Sequence, residues 1–410
     1  MKFTKINKCR CCSSNKLASY INFGNMSLTT EFPKKKIKNI IPMNLIICKK
    51  CKLFQLLHNY DLKKLYNKDY GYKSGINKTM VKHLKSIFLD SKNKCELKKN
   101  DIILDIASND GTLLKNFKLK GLKKIGIDPI VNKFKEIYNK QGILGYPGLF
   151  DKKIFLKLSK GEKAKIITTI AVFYDIQEPN KFVSDIKNIL EDDGIWIMEQ
   201  SYFPFLIKNN AFDSICHEHL SYFMFKQLKI ILDKNNLNLI DAKFNEMNGG
   251  SIRLFIAHKN SKYKINMKSL KALDSIERNI FKNLNFHKKK FKKNIYIIKK
   301  NLVKMLKNIK IKKKVTHIYG ASTKGNVLLQ YCRINKNLVE YAVERNPDKF
   351  GRFTPGTFIP IISEKVSRKM KPNYYLVMPW HFKNEIMKRE KKFMKTGGKL
   401  IFPLPSIKLI

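Results

Sequence analysis

The sequence predicts an α/β protein with three parts: a small cysteine-bearing N-terminal module, a central doubly wound domain, and a second α/β domain at the C-terminus. The first observation is a pair of Cys-x2-Cys spacings near the N-terminus. The second is the strand, small-residue turn and helix start in "DIILDIASNDGTLLKNF". The third is the return of that pattern at "VTHIYGASTKGNVLLQYC". We place the three parts at residues 1–68, 69–260 and 261–410.

Length and charge exclude several classes of protein. A chain of 410 residues with 43% apolar residues can build more than one hydrophobic core. The formal net charge is +51, but only eight of the 83 basic residues are Arg, and the Lys residues are scattered over every segment. Nucleic-acid sites favour clustered Arg side chains interleaved with aromatic ones, so we expect no nucleic-acid partner. With no apolar signal region and no apolar run long enough to span a bilayer, we expect a cytoplasmic protein that does not contact membranes.

Four cysteines, Cys9, Cys12, Cys48 and Cys51, have the spacing of a closed metal site. Each Cys-x2-Cys pair fits a tight turn that presents two thiolates to one ion, and two such turns complete a tetrahedral zinc site. Four thiolates leave no open coordination position, so we expect a structural zinc ion. Cys11 lies between the first two and leaves the identity of one ligand open.

The remaining elements follow in order. Residues 53–100 are expected to form a helix and a connecting segment, and four apolar strands alternating with helical stretches then predict a parallel sheet that binds ligands at its carboxyl edge. From 261 to 314 the chain is dense in Lys and has apolar residues at helical spacing, which predicts an amphipathic helix or helix pair before the last domain. These apolar residues are Leu270, Leu273, Ile276, Ile280 and Leu284.

The first turn of the central domain is not that of a dinucleotide site. In "LDIASNDGTLL" Gly111 is the one glycine, where a pyrophosphate would require G-x-G-x-x-G, and Asp105 lies within the strand end. Asp128 ends the second strand, where a carboxylate can accept both hydroxyls of a ribose. This pattern matches S-adenosylmethionine (SAM)-dependent methyltransferases of the Rossmann-like class, although a turn in an unrelated α/β protein could mimic it.

The segment "FDSICHEHLSYF" contains His217, Glu218 and His219. The two histidines are too close for the helical zinc pattern H-E-x-x-H. Beside a cofactor cleft they suit proton transfer, with one His as the base near neutral pH and Glu218 orienting it or taking the proton itself. A hydrogen-bonded structural loop is the alternative.

Together these motifs resemble those of bacterial nucleotide-sugar C-methyltransferases, which methylate a ring carbon of a 4-keto-deoxy sugar linked to a nucleoside diphosphate. The resemblance runs nearly end to end through the cysteine pairs, "GYKSG", "IASNDGTLL", "GIDP", "CHEHLSYF", "NGGSIRLFIAHK", "YGASTKGNVLLQYC", "ERNPDKFGRFTPGTFIPI" and "MPWHF". It implies a zinc-binding module, a central class I (Rossmann-like) methyltransferase domain and a C-terminal Rossmann-like domain for the substrate. It also implies SAM as cofactor and a small nucleotide sugar as substrate, from the synthesis of a surface polysaccharide or, as the alternative, of a small secreted molecule, and we expect a monomer.

The resemblance also implies roles for single residues. The implied SAM-binding residues are Asp105, Ser108, Asn109, Gly111, Asp128, Ser74, Asn248 and Gly249. The implied catalytic residues are His219 as the base, Glu218 beside it, His217, and Tyr72, which with Ser74 closes over the site. Ser251 is implied to lie near the cofactor or the sugar, and we expect Lys324, Asn326 and Arg352 to contact the substrate because a diphosphate needs hydrogen-bond donors. The implied zinc ligands are Cys9, Cys12, Cys48 and Cys51.

The sequence departs from the family at two places. Relatives that act on antibiotic sugars often have Tyr where this chain has Cys216, and they commonly show "AHI" where this chain has "YDI" at 174–176. These departures leave the sugar and the methylated carbon open.

The chemistry that the resemblance implies is removal by His219 of a proton next to the ketone, followed by methyl transfer to the enolate carbon. Two alternatives remain: a SAM-dependent methyltransferase acting on a hydroxyl or amine, and a nucleic-acid-binding protein with a zinc knuckle.

Overall fold

The computed structural model describes residues 3–37, 40–61, 65–66, 70 and 72–410. The predicted boundary between residues 68 and 69 lies outside these ranges. The described strands, in chain order, are β1 (Phe3–Lys5), β2 (Leu17–Ser27), β3 (Ile40–Cys48), β4 (Phe54–Leu56), β5 (His58–Tyr60), β6 (Ile102–Ile106), β7 (Lys123–Ile127), β8 (Ile143–Tyr146), β9 (Ala164–Ile170), β10 (Leu190–Ser201), β11 (Ser221–Tyr222), β12 (Leu237–Asn245), β13 (Ser251–His258), β14 (Thr316–Tyr319), β15 (Ala342–Glu344), β16 (Ile361–Ser363), β17 (Tyr374–Val377), β18 (Lys399–Phe402) and β19 (Lys408–Leu409). The described α-helices are α1 (Lys78–Lys94), α2 (Lys135–Lys140), α3 (Lys152–Leu158), α4 (Pro179–Ile189), α5 (Phe203–Lys208), α6 (Phe225–Lys234), α7 (Met267–Lys282), α8 (Leu284–Ile311), α9 (Thr323–Cys332), α10 (Glu364–Lys369), α11 (Lys383–Arg389) and α12 (Lys391–Lys395).

The N-terminal module is built on an antiparallel sheet with the strand order β11–β4–β3–β2, and β1 pairs with β5 beside it. The strand β11 comes from the segment that directly follows the two histidines, and it pairs with β4. The module and the His-Glu-His loop are therefore joined through one sheet, a long-range pairing that the sequence did not predict.

The central sheet has the order β12–β13–β10–β9–β6–β7–β8. The strands from β10 to β8 are parallel, as predicted, because strands that are covered on both faces read as continuous apolar runs. All five residues of β6, "IILDI", are buried. At one edge β13 runs antiparallel to both β10 and β12, a reversal that the sequence analysis did not predict.

The Lys-dense region forms two helices, which confirms the predicted helix pair. In α7 the predicted apolar residues Leu273 and Ile280 are buried. In α8 residues at three- and four-residue spacing are buried, from Phe291 to Ile309, while the Lys side chains face outwards. No described helix combines the length and apolar character needed to cross a membrane.

The C-terminal domain has a second sheet, in the order β16–β15–β14–β17–β18–β19, and all its strands but β19 are parallel. Residues just past the carboxyl ends of β6, β7 and β9 in the central sheet, and of β14 and β17 in this one, line a single cleft. We call it the central cleft. Its position follows the rule that open α/β sheets bind ligands outside the carboxyl ends of their strands.

Candidate active site

The central cleft has a volume of about 400 Å³ and is lined by side chains from all three parts of the chain. The predicted site residues in its lining are Tyr72, Ser74, Asp105, Ser108, Asn109, Asp128, Glu218, His219, Asn248 and Lys324. Six predicted residues lie outside the lining: Gly111, His217, Gly249, Ser251, Asn326 and Arg352.

The carboxyl ends of the neighbouring strands β6 and β7 place two carboxyl groups at one end of the cleft. Asp105 accepts a hydrogen bond from the Thr168 hydroxyl at 2.6 Å, and burial raises the pKa of Asp105 to about 7. Asp128 accepts backbone N–H bonds from Asn109 and Ile130, each at 2.9 Å, and burial raises its pKa as well. Each carboxylate oxygen can accept more than one donor, so Asp128 keeps capacity for the two hydroxyls of a ribose.

Gly111 contributes to the backbone conformation of the turn after β6. Its φ of +72° favours glycine, and an added Cβ would lie 3.3 Å from the ring of Tyr138. That ring in turn holds Ser108, because the two hydroxyl oxygens are 2.8 Å apart. Gly111 itself lies outside the cleft lining, and its predicted contact with the cofactor stays a prediction.

The "GYKSG" segment lies over the same turn, although its Gly71 is outside the described residues. The Asn109 side chain accepts from the backbone N–H of Ser74 at 2.9 Å and donates to the Tyr72 carbonyl at 3.1 Å. Asp110 accepts from the Gly75 N–H at 2.7 Å. The segment is thereby pinned to the turn by two consecutive side chains.

The His-Glu-His loop supplies the middle of the cleft. His219 Nδ1 lies 2.7 Å from the Ser214 carbonyl oxygen, so Nδ1 carries the proton and Nε2 is the nitrogen that can accept one. Burial, with a smaller effect of Lys324, lowers the pKa of His219 to about 3. Burial raises the pKa of Glu218 to about 7, and the Cys216 thiol donates to Glu218 Oε1 at 3.7 Å. The loop therefore combines a neutral imidazole with a carboxyl group that titrates near neutrality.

His217 points away from this chemistry. It is fully buried and meets the ring of Tyr60 edge-on, with ring centroids 5.0 Å apart, on the side of the N-terminal module. Burial lowers the pKa of His217 to about 3. Residues 216–219 form a tight turn, in which the His219 N–H donates to the Cys216 carbonyl at 3.1 Å, so the side chains do not alternate as on a strand and the consecutive residues Glu218 and His219 both line the cleft.

The cysteine cluster fits a structural zinc ion. The Sγ atoms of the four predicted ligands all lie within 4.8 Å of one another, with Cys9 to Cys51 and Cys12 to Cys48 each at 3.6 Å. A tetrahedral ion with Zn–S bonds of about 2.3 Å requires sulfur atoms at about this separation. Cys11 instead donates to the Gln227 carbonyl, which settles the choice of ligands. The four cysteines lie outside the cleft lining, in agreement with a structural role.

The C-terminal domain closes the other end of the cleft. After β14 the backbone turns at Gly320, with φ +86°, and Ser322 caps α9 by accepting from the Gly325 N–H at 3.0 Å. Lys324 then reaches across and donates to the Asn248 carbonyl at 3.1 Å. Burial lowers the pKa of Lys324, and the carboxylate of Asp213 opposes that shift most strongly.

Four residues predicted to contact a ligand lie outside the cleft lining and make contacts within the protein. Ser251 donates to the Met247 carbonyl at 2.9 Å, and Gly249 lies so close to Trp380 that an added Cβ would stand 2.8 Å from its ring. Asn326 donates to the Thr29 carbonyl at 2.8 Å and Arg352 to the Phe32 carbonyl at 3.1 Å. The last two side chains therefore join the C-terminal domain to the N-terminal module. A contact with the diphosphate is predicted for these two residues from their type, and the residue type alone does not indicate where a side chain points.

Several cleft residues were missed by sequence reasoning. They are Tyr66, Tyr70, Glu344, Arg345 and Lys349, while Tyr174 and Asp175 were singled out only as a departure from the family at 174–176. Glu344 was predictable from the sequence. It is the last residue of β15, the second strand of its domain, and Asp128 directly follows β7, the second strand of the central domain. Tyr66 and Asp175 are 109 residues apart in sequence and meet through a 2.6 Å hydrogen bond, which no local pattern announces.

Comparisons with known proteins agree with this three-part organisation. Residues 9–66 match a zinc binding domain, residues 80–242 a methyltransferase domain, and residues 246–405 a C-methyltransferase C-terminal domain. The chain is 25% identical over 410 residues to the C-methyltransferase NovU of Streptomyces niveus, covering 99% of this chain and 97% of that protein.

Among solved structures, the chain is similar to an S-adenosylmethionine-dependent methyltransferase from Clostridium acetobutylicum at 14% identity, with a TM-score of 0.34, over 43% of this chain and 92% of that one. It is similar to the CurJ carbon methyltransferase at 12% identity, with a TM-score of 0.36, over 48% of this chain and 61% of that one.

Proposed function

We propose that this chain, a SAM-dependent methyltransferase with a zinc-binding N-terminal domain and a C-methyltransferase C-terminal domain, methylates a carbon next to the ketone of a nucleotide-linked 4-keto-deoxy sugar. The observation that supports this most is the central cleft itself. It runs from the acidic turn after β6, past Glu218 and His219, to the turn before α9. A methyl donor bound at the first end and an acceptor bound at the second would meet beside Glu218 and His219.

The first step is removal of a proton from the carbon next to the ketone. We assign this step to His219 Nε2, because the bond from Nδ1 to the Ser214 carbonyl fixes the tautomer and the ring orientation. The pKa of about 3 keeps the ring neutral at working pH, so the Nε2 lone pair is free, and the negative charge of ionised Glu218 is needed to make it a stronger base. Ionised Glu218 then stabilises the imidazolium that forms, so the two residues act as a pair.

The second requirement is stabilisation of the enolate oxygen. Lys324 is a half-buried cation in the cleft, and its charge acts on both Glu218 and His219. A fixed cation in a dry site can stabilise charge that develops on the former ketone oxygen. The enolate carbon is then the nucleophile. SAM, when bound, supplies an electrophilic methyl group.

The third requirement is recognition of the nucleotide. The helix α9 begins at the edge of the cleft behind a left-handed glycine and a capping serine, which is the kind of backbone that accepts a phosphate group. Glu344 lies at the end of the next strand, where a carboxylate can accept ribose hydroxyls. The buried Lys349 donates to the Ala321 carbonyl at 2.8 Å and thereby stabilises the turn between β14 and α9.

The test is incubation with SAM carrying a 13C-labelled methyl group and a panel of nucleotide-linked 4-keto-6-deoxy sugars. We expect an NMR product signal for a methyl group coupled to a ring carbon. His219→Ala should lower turnover by about 10²–10⁴-fold, while His287→Ala, in α8 and outside the cleft lining, should not. A methyl group on oxygen or nitrogen, or unchanged turnover of His219→Ala, would contradict the proposal.

A further inference from the structure

Asp175 is a buried cleft residue with one oxygen in use. It ends the short 3-10 turn Phe173–Asp175 that follows β9, and 7% of its surface is exposed. Oδ2 accepts the Tyr66 hydroxyl at 2.6 Å. Oδ1 is buried and, among the described residues, has no hydrogen-bond partner.

Glu218 is in the same situation on the facing loop. Oε1 accepts the weak thiol donor Cys216 at 3.7 Å, while Oε2 is buried and has no partner within the described part of the chain. Lys324 does not fill this position, since its ammonium group donates to the Asn248 carbonyl. Two carboxyl groups in one cleft thus each keep one acceptor oxygen unsatisfied.

The two groups also act on each other. Burial and the charge of Glu218 raise the pKa of Asp175 well above its usual value, because two buried carboxylates cannot easily ionise together. Hydrogen-bond donors from a ligand would satisfy both oxygens and reduce that repulsion. A buried acceptor without a donor is destabilising, so the free protein has an arrangement that a ligand with donors completes.

We propose that Asp175 and Glu218 form an acceptor pair that binds hydroxyl groups on the sugar ring beside the ketone, and that this pair selects hydroxyl-bearing sugars over their deoxy analogues. The inference rests on the proposed function. Asp175 is a specificity-determining residue in this account, whereas Glu218 contributes to both recognition and proton transfer. Tyr66 positions Asp175 by holding Oδ2.

The reason for strong selection is the cost of an unfilled site. A pocket built to hydrogen-bond a substrate hydroxyl rejects the analogue lacking it far more strongly than an apolar pocket rejects a missing methylene, because the buried polar groups are left unpaired. We therefore expect removal of the recognised hydroxyl to lower kcat/KM by about 10²-fold or more.

The experiment compares three substrates in the full-length protein: a nucleotide-linked 4-keto-6-deoxyhexose with both ring hydroxyls, its 2-deoxy analogue and its 3-deoxy analogue. In Asp175→Asn the amide oxygen can still accept from Tyr66, but the amide nitrogen puts a donor where Oδ1 was an acceptor. The variant should lower the preference for the hydroxylated sugar from about 100-fold to about tenfold or less.

Asp213→Asn is the matched control. Asp213 is a buried aspartate that accepts from the Trp380 indole at 2.8 Å and lies outside the cleft lining. It should leave the ratio of kcat/KM between the substrates unchanged, even if its absolute activity falls. Thermal unfolding of both variants separates a change in specificity from a change in folding.

The outcomes are distinct. If the wild-type protein uses all three sugars within about threefold, or if Asp175→Asn keeps the full preference, the acceptor pair is wrong and the proposed function stands. If the wild-type protein methylates none of them, the proposed function fails and the inference fails with it.

Discussion

The two strand–turn–helix units of this chain have the same backbone plan and opposite charge. The carboxyl ends of β6 and β7 present the carboxyl groups of Asp105 and Asp128, whereas the turn after β14 leads to the cation of Lys324 and the N-terminus of α9. Acidic groups suit a sulfonium cofactor with an amino group and ribose hydroxyls, while a cation and free backbone N–H groups suit an anionic ligand. We infer from this difference that the side chains at the strand ends, more than the fold, determine which ligand each half binds.

The largest expected effect comes from removing the cation of the second turn. In Lys324→Met we expect kcat/KM for the sugar to fall by about 10²–10³-fold, because the enolate oxygen loses its fixed charge, while SAM affinity is unchanged. Steady-state kinetics and calorimetric titration with SAM measure the two effects separately. Lys300→Met, an exposed residue of α8, is the control. If Lys324→Met lowered SAM affinity as much as kcat/KM for the sugar, the two turns could not be assigned to two different ligands.

The matching change in the first turn is Asp128→Asn. Its carboxylate is expected to accept ribose hydroxyls, and charge-assisted hydrogen bonds of this kind contribute about 1.5–3 kcal/mol. SAM affinity should therefore fall by about 10–100-fold, with KM for the sugar unchanged. Calorimetry measures the affinity, and a thermal melt checks that the bonds from Asn109 and Ile130 survive. An unchanged SAM affinity would show that the ribose is held elsewhere.

A smaller effect is expected from a change of pH. The pH dependence of kcat/KM should come mainly from Glu218 and His219, which lie between the two turns. The pKa of Glu218 is raised to about 7, and its carboxylate form is the active one, so kcat/KM should fall by about tenfold for each pH unit below that value. His219, with a pKa lowered to about 3, adds no step near neutrality. In Glu218→Gln the step near pH 7 should become smaller while reduced activity remains, because the pKa of Asp105 is also raised to about 7 and its titration persists. Complete loss of activity in Glu218→Gln would instead make Glu218 the base.

The smallest expected effect on activity comes from Glu344, which has in the C-terminal domain the position that Asp128 has in the central domain. Glu344 ends β15 much as Asp128 follows β7, and it is expected to contact the nucleotide ribose. Glu344→Gln should raise KM for the nucleotide sugar by about threefold to tenfold with little change in kcat, because a neutral amide still accepts one hydrogen bond. A change in SAM affinity without a change in sugar KM would contradict the symmetry of the two turns.

Features that depend on local sequence were predictable. The two turns, the helix pair and the cysteine spacing each follow from residues close together in the chain, and the structure confirms them. The pairing of β11 with β4 joins positions more than 160 residues apart, and a two-residue strand leaves no periodic pattern. Such contacts depend on the packing of whole domains.

Asp128 and His219 both line the central cleft, where their predicted roles require them to be, and those roles stay predictions. Asn326 and Arg352 show the opposite case, since both donate to carbonyl groups of the N-terminal module. Asp175 shows a third case. Its significance comes from Tyr66 and Glu218, which reach it from distant segments.

The measurement that tests the central claim most directly uses a 4-keto sugar nucleotide deuterated on the carbons beside the ketone. In a single turnover with SAM, the product mass should show one methyl group gained and one deuterium lost, and a reaction without SAM corrects for exchange with solvent. That result would establish methyl transfer to carbon after proton removal. A methylated product that keeps all its deuterium would place the methyl group on another atom and contradict the account.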